Sequence, residues 1–183
     1  MQMVERVHQI IEEYVREGDV VVDATVGNGW DTLKLCQQVG ESGKVYGFDI
    51  QKEAIQKTRE RLEKAGVYER TELICCSHAK AQAYVKEPIK AFMMNLGYLP
   101  GGQKDIVTNK DSTVEALCFL SNQMVSGGIG TILVYYGHEG GMEEKTAVEA
   151  FMASIPSGWG QITRMEIVNR KNSPPILYIM EKK

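Results

Sequence analysis

Two spacings of apolar residues take turns along this chain. Over residues 3–16 the apolar positions Val4, Val7, Ile10, Ile11, Tyr14 and Val15 recur at intervals of three and four, which is the pattern of an amphipathic helix. Gly18 ends it, and residues 19–23 set three valines between two aspartates, a short run with the character of a strand buried on both faces. Helical spacing returns over 30–39 and 52–65, with strand patterns at 44–49 and 71–75 and a short helix starting near Ala79. A strand at 89–95 leads into a loop rich in glycine and proline, 96–109, followed by a helix (112–125), a strand (131–136) and a helix (143–155). Such alternation predicts a mostly parallel sheet with helices on both faces.

The end of the chain departs from it. Residues 161–168 and 176–180 both read as strands, yet only about eight residues separate them, too few for the dozen or more of a parallel crossover. They are expected to pair as an antiparallel hairpin. The predicted fold class is therefore α/β: a Rossmann-like doubly wound sheet of seven strands, mostly parallel, with an antiparallel C-terminal strand. No repeat or linker divides it, so residues 1–183 are expected to form a single domain.

Composition narrows the function classes. With 43% hydrophobic and 25% charged residues the chain reads as soluble and globular, and no apolar run approaches the roughly 20 residues that span a bilayer. The N-terminal segment mixes acids into its apolar pattern, unlike a secretory signal, so a cytoplasmic location is expected. Cys36, Cys75, Cys76 and Cys118 form no CxxC pair. They are read as small buried hydrophobes, with neither a metal site nor a disulfide framework. A net charge of -3 argues against binding nucleic acid through bulk electrostatics, though it leaves room for a local basic patch.

The candidate chemistry starts at 20–32, VVVDATVGNGWDT. Gly27 and Gly29 flank Asn28 where a backbone could approach a ligand, but Thr32 stands where a dinucleotide fingerprint has its third glycine. Asp23 and Asp31 would repel a pyrophosphate. A ligand carrying an ammonium and a sulfonium reverses that sign, and S-adenosylmethionine carries both. Asp49, in GFDI about 20 residues further on, can accept hydrogen bonds from ribose hydroxyls, as in nicotinamide folds too.

On DATVGNGWDT (23–32), GFDI (47–50) and the C-terminal hairpin, the chain resembles class I S-adenosylmethionine-dependent methyltransferases. The resemblance runs nearly end to end. Through SHAK (77–80), NLGYLPGG (95–102), YYGHEGG (135–141) and NRKNSPP (169–175) it narrows to a small bacterial family labelled rRNA methylases and associated with methylating an aminomethyl-uridine at the tRNA wobble position. The cofactor set it implies is Asp23, Gly27, Asn28, Gly29, Asp31, Thr32, Asp49, Ile50, Ser77, His78, Asn95 and Gly97. The Asn95 loop is similar to the Asn-Pro-Pro-Tyr loop of amino-group methyltransferases, with Leu96 and Gly97 in place of the prolines.

An aliphatic amine with a pKa of about 10, as for lysine, is almost wholly protonated at neutral pH and cannot attack until it loses a proton. His138 is the candidate general base, Asn95 the amine acceptor and Tyr136 the orienting group. Tyr98, Tyr136, Arg170 and Asn172 are the expected substrate contacts, with Lys104, Lys110, Arg164, Arg170 and Lys171 as a phosphate track toward a tRNA anticodon loop. His8 receives no role, and Trp30 is expected to pack against the sheet. Methylation of rRNA or a small amine, a nicotinamide-dependent oxidoreductase and a non-catalytic RNA-binding module stay open as alternatives. The oligomeric state is also open, with a homodimer through the N-terminal helix as one option.

Overall fold

The computed structural model describes residues 2–97 and 108–183. Its elements run α1 (Met3–Tyr14), β1 (Val20–Asp23), α2 (Trp30–Val39), β2 (Lys44–Asp49), α3 (Lys52–Lys64), β3 (Thr71–Cys75), α4 (Ala81–Tyr84), β4 (Ile89–Leu96), α5 (Lys110–Gln123), β5 (Met124–Val134), α6 (Gly141–Ser154), β6 (Gly160–Met165) and β7 (Ile176–Lys182). The strands form one seven-stranded sheet in the order β3-β2-β1-β4-β5-β7-β6. Strands β1 to β5 pair in parallel, and β7 pairs antiparallel with β5 on one side and β6 on the other.

The pleat sorts successive side chains onto opposite faces. Val21, Val45, Met93 and Leu133 point to the side covered by α1, α2 and α3, where Val7, Ile11, Leu35 and Leu62 meet them. Val22, Phe48, Phe92 and Ile132 point to the other side, against Leu117 and Leu120 of α5 and Val148 of α6. Strands buried on both faces explain why the sequence shows apolar runs there and not alternation.

Several boundaries differ from the expectation. β5 begins at Met124, where 112–125 was predicted to stay helical. Its first residues pair through an irregularity beside Ile89, with Gly127 at φ +70° supplying the turn that helical periodicity masks. Of the four cysteines only Cys36 is buried; Cys75 and Cys118 are exposed, contrary to the expectation that all four are core. Among the described residues no helix is long and apolar enough to cross a membrane.

Strand β1 lies between β2 and β4, so the strand order reverses there and a crevice opens above the carboxyl ends of β1 and β4. Asp23 ends β1, and Asn95 is the penultimate residue of β4.

Candidate active site

A cleft of about 530 Å³ occupies that crevice. The β1–α2 loop forms its floor, the ends of β2 and β3 one wall, and the end of β4 with the start of α5 and Tyr135 the other. Val4 of α1 closes one side.

The floor is held by backbone geometry. The Val26 N–H donates to the Phe48 carbonyl, Gly29 N–H to the Val26 carbonyl, and Asn95 N–H to the Thr25 hydroxyl at 2.7 Å. Gly29 has φ +76°, and a Cβ there would stand 2.5 Å from Thr58 Oγ1, so both conformation and space require glycine. Asp49 accepts the Gly27 and Gln51 N–H groups, each at 2.9 Å. Burial raises its carboxyl, while these backbone donors oppose the shift.

Asp31 lies in the first turn of α2 with both oxygens engaged. Oδ1 is 2.6 Å from His8 Nε2, and Oδ2 accepts from Asn95 Nδ2 at 2.5 Å. A carboxylate has no hydrogen to offer, so Asn95 must present its amino group there, leaving its carbonyl as the acceptor for a ligand in the cleft. His78 is fixed in a comparable way. Its Nδ1 donates to the Ala24 carbonyl at 3.1 Å, and its buried Nε2, then an acceptor, has no partner among the described residues. Burial lowers its pKa, favouring the neutral ring.

Of the expected cofactor set, Gly27, Asn28, Asp31, Asp49, Ile50, Ser77, His78, Asn95 and Gly97 line the cleft. Asp23, Thr32 and Gly29 do not. Asp23 is fully buried, taking the Thr32 hydroxyl at 2.6 Å and the Thr25 N–H at 3.2 Å, so it organises the floor from beneath. Burial, then the nearby charge of Asp31, pushes its carboxyl up to about 7.

The substrate side is corrected more heavily. Tyr135, and not Tyr136, lines the cleft; Tyr136 packs against the core and lies under Lys145. Strand pairing ends at Val134, two residues before the end the sequence suggests. His138 is not in the cleft wall. Its Nδ1 donates to the Glu139 carbonyl at 2.9 Å, and its Nε2 faces Gly97, 3.7 Å from where a Cβ on that glycine would lie. Arg170 and Asn172 are exposed on the β6–β7 loop, outside the cleft. That loop nonetheless approaches the β5–α6 loop, since a Cβ on Gly137 would be 3.7 Å from the Ser173 Cβ. Arg164 is paired with Glu149 and Glu166. Tyr98 and Lys104 lie outside the described residues. Trp30, expected on the sheet, is 62% exposed at the cleft's rim with the Arg61 guanidinium 3.3 Å from its ring centre.

Sequence reasoning missed three contributors. Tyr135 was passed over for its neighbour, and His8 gave no local signal because its partner is 23 positions away. Glu144 is fully buried and accepts the hydroxyls of Thr108 and Thr113. Thr108 also bonds Gly97 through both backbone and side chain, so Glu144 anchors the descending end of the β4–α5 connection.

The lining chemistry discriminates between ligands. Among the described residues the cleft wall holds two carboxylates and no lysine or arginine. Among the described residues the carboxylates there would repel a pyrophosphate with no lysine or arginine to offset them, whereas a ligand bearing an ammonium and a sulfonium fits. The Asp49 carboxylate, in the cleft wall, suits ribose hydroxyls. Among the described residues no cluster of three or more His, Cys, Asp or Glu could hold a metal ion.

Comparison with known proteins agrees. Residues 45–181 match the family model described as "Putative rRNA methylase". The chloroplastic tRNA (mnm(5)s(2)U34)-methyltransferase of Arabidopsis thaliana is 37% identical over 185 residues, covering 96% of this chain and 68% of the relative. A Clostridium thermocellum structure of the same rRNA-methylase description superposes with TM-score 0.98 at 41% identity, covering 100% of this chain and 98% of that one. A Streptococcus mutans structure, described as a methyltransferase and solved with SAH, gives TM-score 0.92 at 34% identity over 100% and 99% of the two chains. The chain belongs to the rRNA methylase family, and it is an S-adenosylmethionine-dependent methyltransferase.

Proposed function

We propose that the protein methylates an aliphatic amine on RNA, converting the aminomethyl group of a tRNA wobble uridine, an aminomethyl-thiouridine, to methylaminomethyl. The observation that carries this reading is the Asn95 amide: Asp31 takes its amino group, so its carbonyl is left to receive an N–H from the acceptor. The Arabidopsis relative, named for this tRNA position, supports the choice of substrate.

On this reading Asp49, Ser77, His78 and the backbone of Gly27 and Asn28 hold the adenosine, with Asp31 supplying negative charge near the cationic end. The bound cofactor supplies an electrophilic methyl group on a sulfonium. The protein's own residues prepare the nucleophile. Asn95 accepts one amine hydrogen and thereby directs the lone pair across the cleft, a form of orientation worth several kcal/mol of barrier. The amine must give up one proton for each methyl it gains. We assign its release to solvent at the mouth of the cleft, since His138 Nε2 is buried beside Gly97 and outside the cleft wall. Tyr135 stands at the same end of the cleft as a surface for the flipped base. Arg170 and Lys171, exposed on the loop beside Gly137, provide phosphate contacts at its mouth.

The test is nucleoside mass spectrometry of RNA from a deletion strain, before and after treatment with the purified protein and S-adenosylmethionine. Aminomethyl-thiouridine is expected to accumulate in the mutant tRNA and to gain one methyl group on treatment. A methyl gained by rRNA instead, with the tRNA nucleoside unchanged, would contradict the proposed substrate.

A further inference from the structure

We infer that His8, on the N-terminal helix, is a positioning residue for amine methylation: it holds the Asp31 carboxylate, which in turn sets the orientation of the Asn95 amide. This rests on the role given to Asn95 above. Three side chains from three elements form one chain of hydrogen bonds, His8 of α1, Asp31 of α2 and Asn95 of β4. With the imidazole 2.6 Å from one oxygen and the amide 2.5 Å from the other, the carboxylate cannot turn without breaking a bond. Its side chain is only 12% exposed, so water does not easily replace either donor. Asn95, which lines the cleft, is consequently held with its amino group on Asp31, and its carbonyl remains as the acceptor.

The placement of His8 follows from its helix. Val7, Ile10 and Ile11 are buried and seat α1 on the sheet. Val4, one turn before His8, lines the cleft, so the same side of the helix that closes the site also carries the imidazole. A purely structural role, tying α1 to α2, is already served elsewhere. Lys34 of α2 pairs with Glu12 of α1, and Gln38 Nε2 donates to the carbonyls of Glu12 and Val15. The His8–Asp31 contact is the link between these helices that reaches the cleft.

His8→Ala and His8→Gln in the full chain test this, since a glutamine amide can replace the Nε2 donor but not the imidazole. His8→Ala is expected to lower kcat on tRNA by about tenfold to a hundredfold, the effect of misplacing a reacting group. Affinity for S-adenosylmethionine and the melting temperature should stay near wild type, and His8→Gln should restore most of the rate. The second readout needs no substrate: the Asn95 side-chain amide resonances should move in His8→Ala and return in His8→Gln. An unmoved Asn95 amide, an unchanged kcat, or a loss of cofactor affinity as large as the loss of rate would each overturn the inference. A wild-type protein that transfers no methyl to tRNA, with an Asn95 amide that still responds to His8→Ala, would instead overturn the proposed substrate.

Discussion

Asp49 and Gly27, 22 positions apart, are joined by a 2.9 Å hydrogen bond from the glycine N–H to the carboxylate, which ties the end of β2 to the glycine loop. One side chain therefore shapes the floor of the cleft and lines its wall. Asp49→Ala is expected to weaken S-adenosylmethionine binding by about tenfold to a hundredfold, corresponding to loss of a charged hydrogen bond. Calorimetric titration measures it, and an affinity equal to wild type would remove Asp49 from the cofactor site.

Gly29 allows a different check on the same loop. An alanine there would hold a strained positive φ and place its Cβ 2.5 Å from the Thr58 hydroxyl. Gly29→Ala should cost about 1–3 kcal/mol in urea unfolding. Adding Thr58→Ala should remove the contacts with Oγ1 and Cγ2 but leave the residue-58 Cβ 2.9 Å away and the backbone strained, so recovery should be partial.

Asp23 predicts a pH dependence. Its carboxyl is pushed up to about 7 by burial and by Asp31, against about 3.9 for an unfolded aspartate. Between those values the folded chain keeps a proton that the unfolded chain has lost, so this group's contribution is present below about pH 4 and is lost as pH rises through 7. Asp23→Asn cannot ionise and can still accept the Thr32 hydroxyl. The stability of the variant relative to wild type should therefore rise from pH 4 to pH 7 by an amount on the order of 2–4 kcal/mol, then level off. Unfolding curves across that range check it, and a constant difference would contradict the raised value.

The adjacent tyrosines should separate by function. Tyr135 faces the cleft and Tyr136 the core. Tyr135→Ala should raise KM for RNA with little change in melting temperature, whereas Tyr136→Ala should lower the melting temperature. Steady-state kinetics with a thermal melt distinguishes them.

The sequence carried the fold well where periodicity and connection length were decisive. The short gap between the last two strands requires an antiparallel pair, and β7 does pair antiparallel with both β5 and β6. The sheet's burial on both faces follows from the valine runs. Legibility fell where position depends on tertiary contact. Nothing local says whether Tyr135 or Tyr136 meets the cleft, because that depends on where β5 stops pairing. The acidic character of the first loop pointed to a cationic ligand, but the sequence does not separate Asp31, in the cleft wall, from Asp23, buried beneath it. His8 was illegible for the same reason, since its partner comes from another helix.

The measurement that bears most directly on the account is methyl transfer by Asn95→Ala to tRNA carrying the aminomethyl group, followed in single turnover alongside cofactor affinity. The account predicts a fall in rate of about a hundredfold or more, with S-adenosylmethionine binding nearly unchanged. Wild-type turnover by the variant would contradict it.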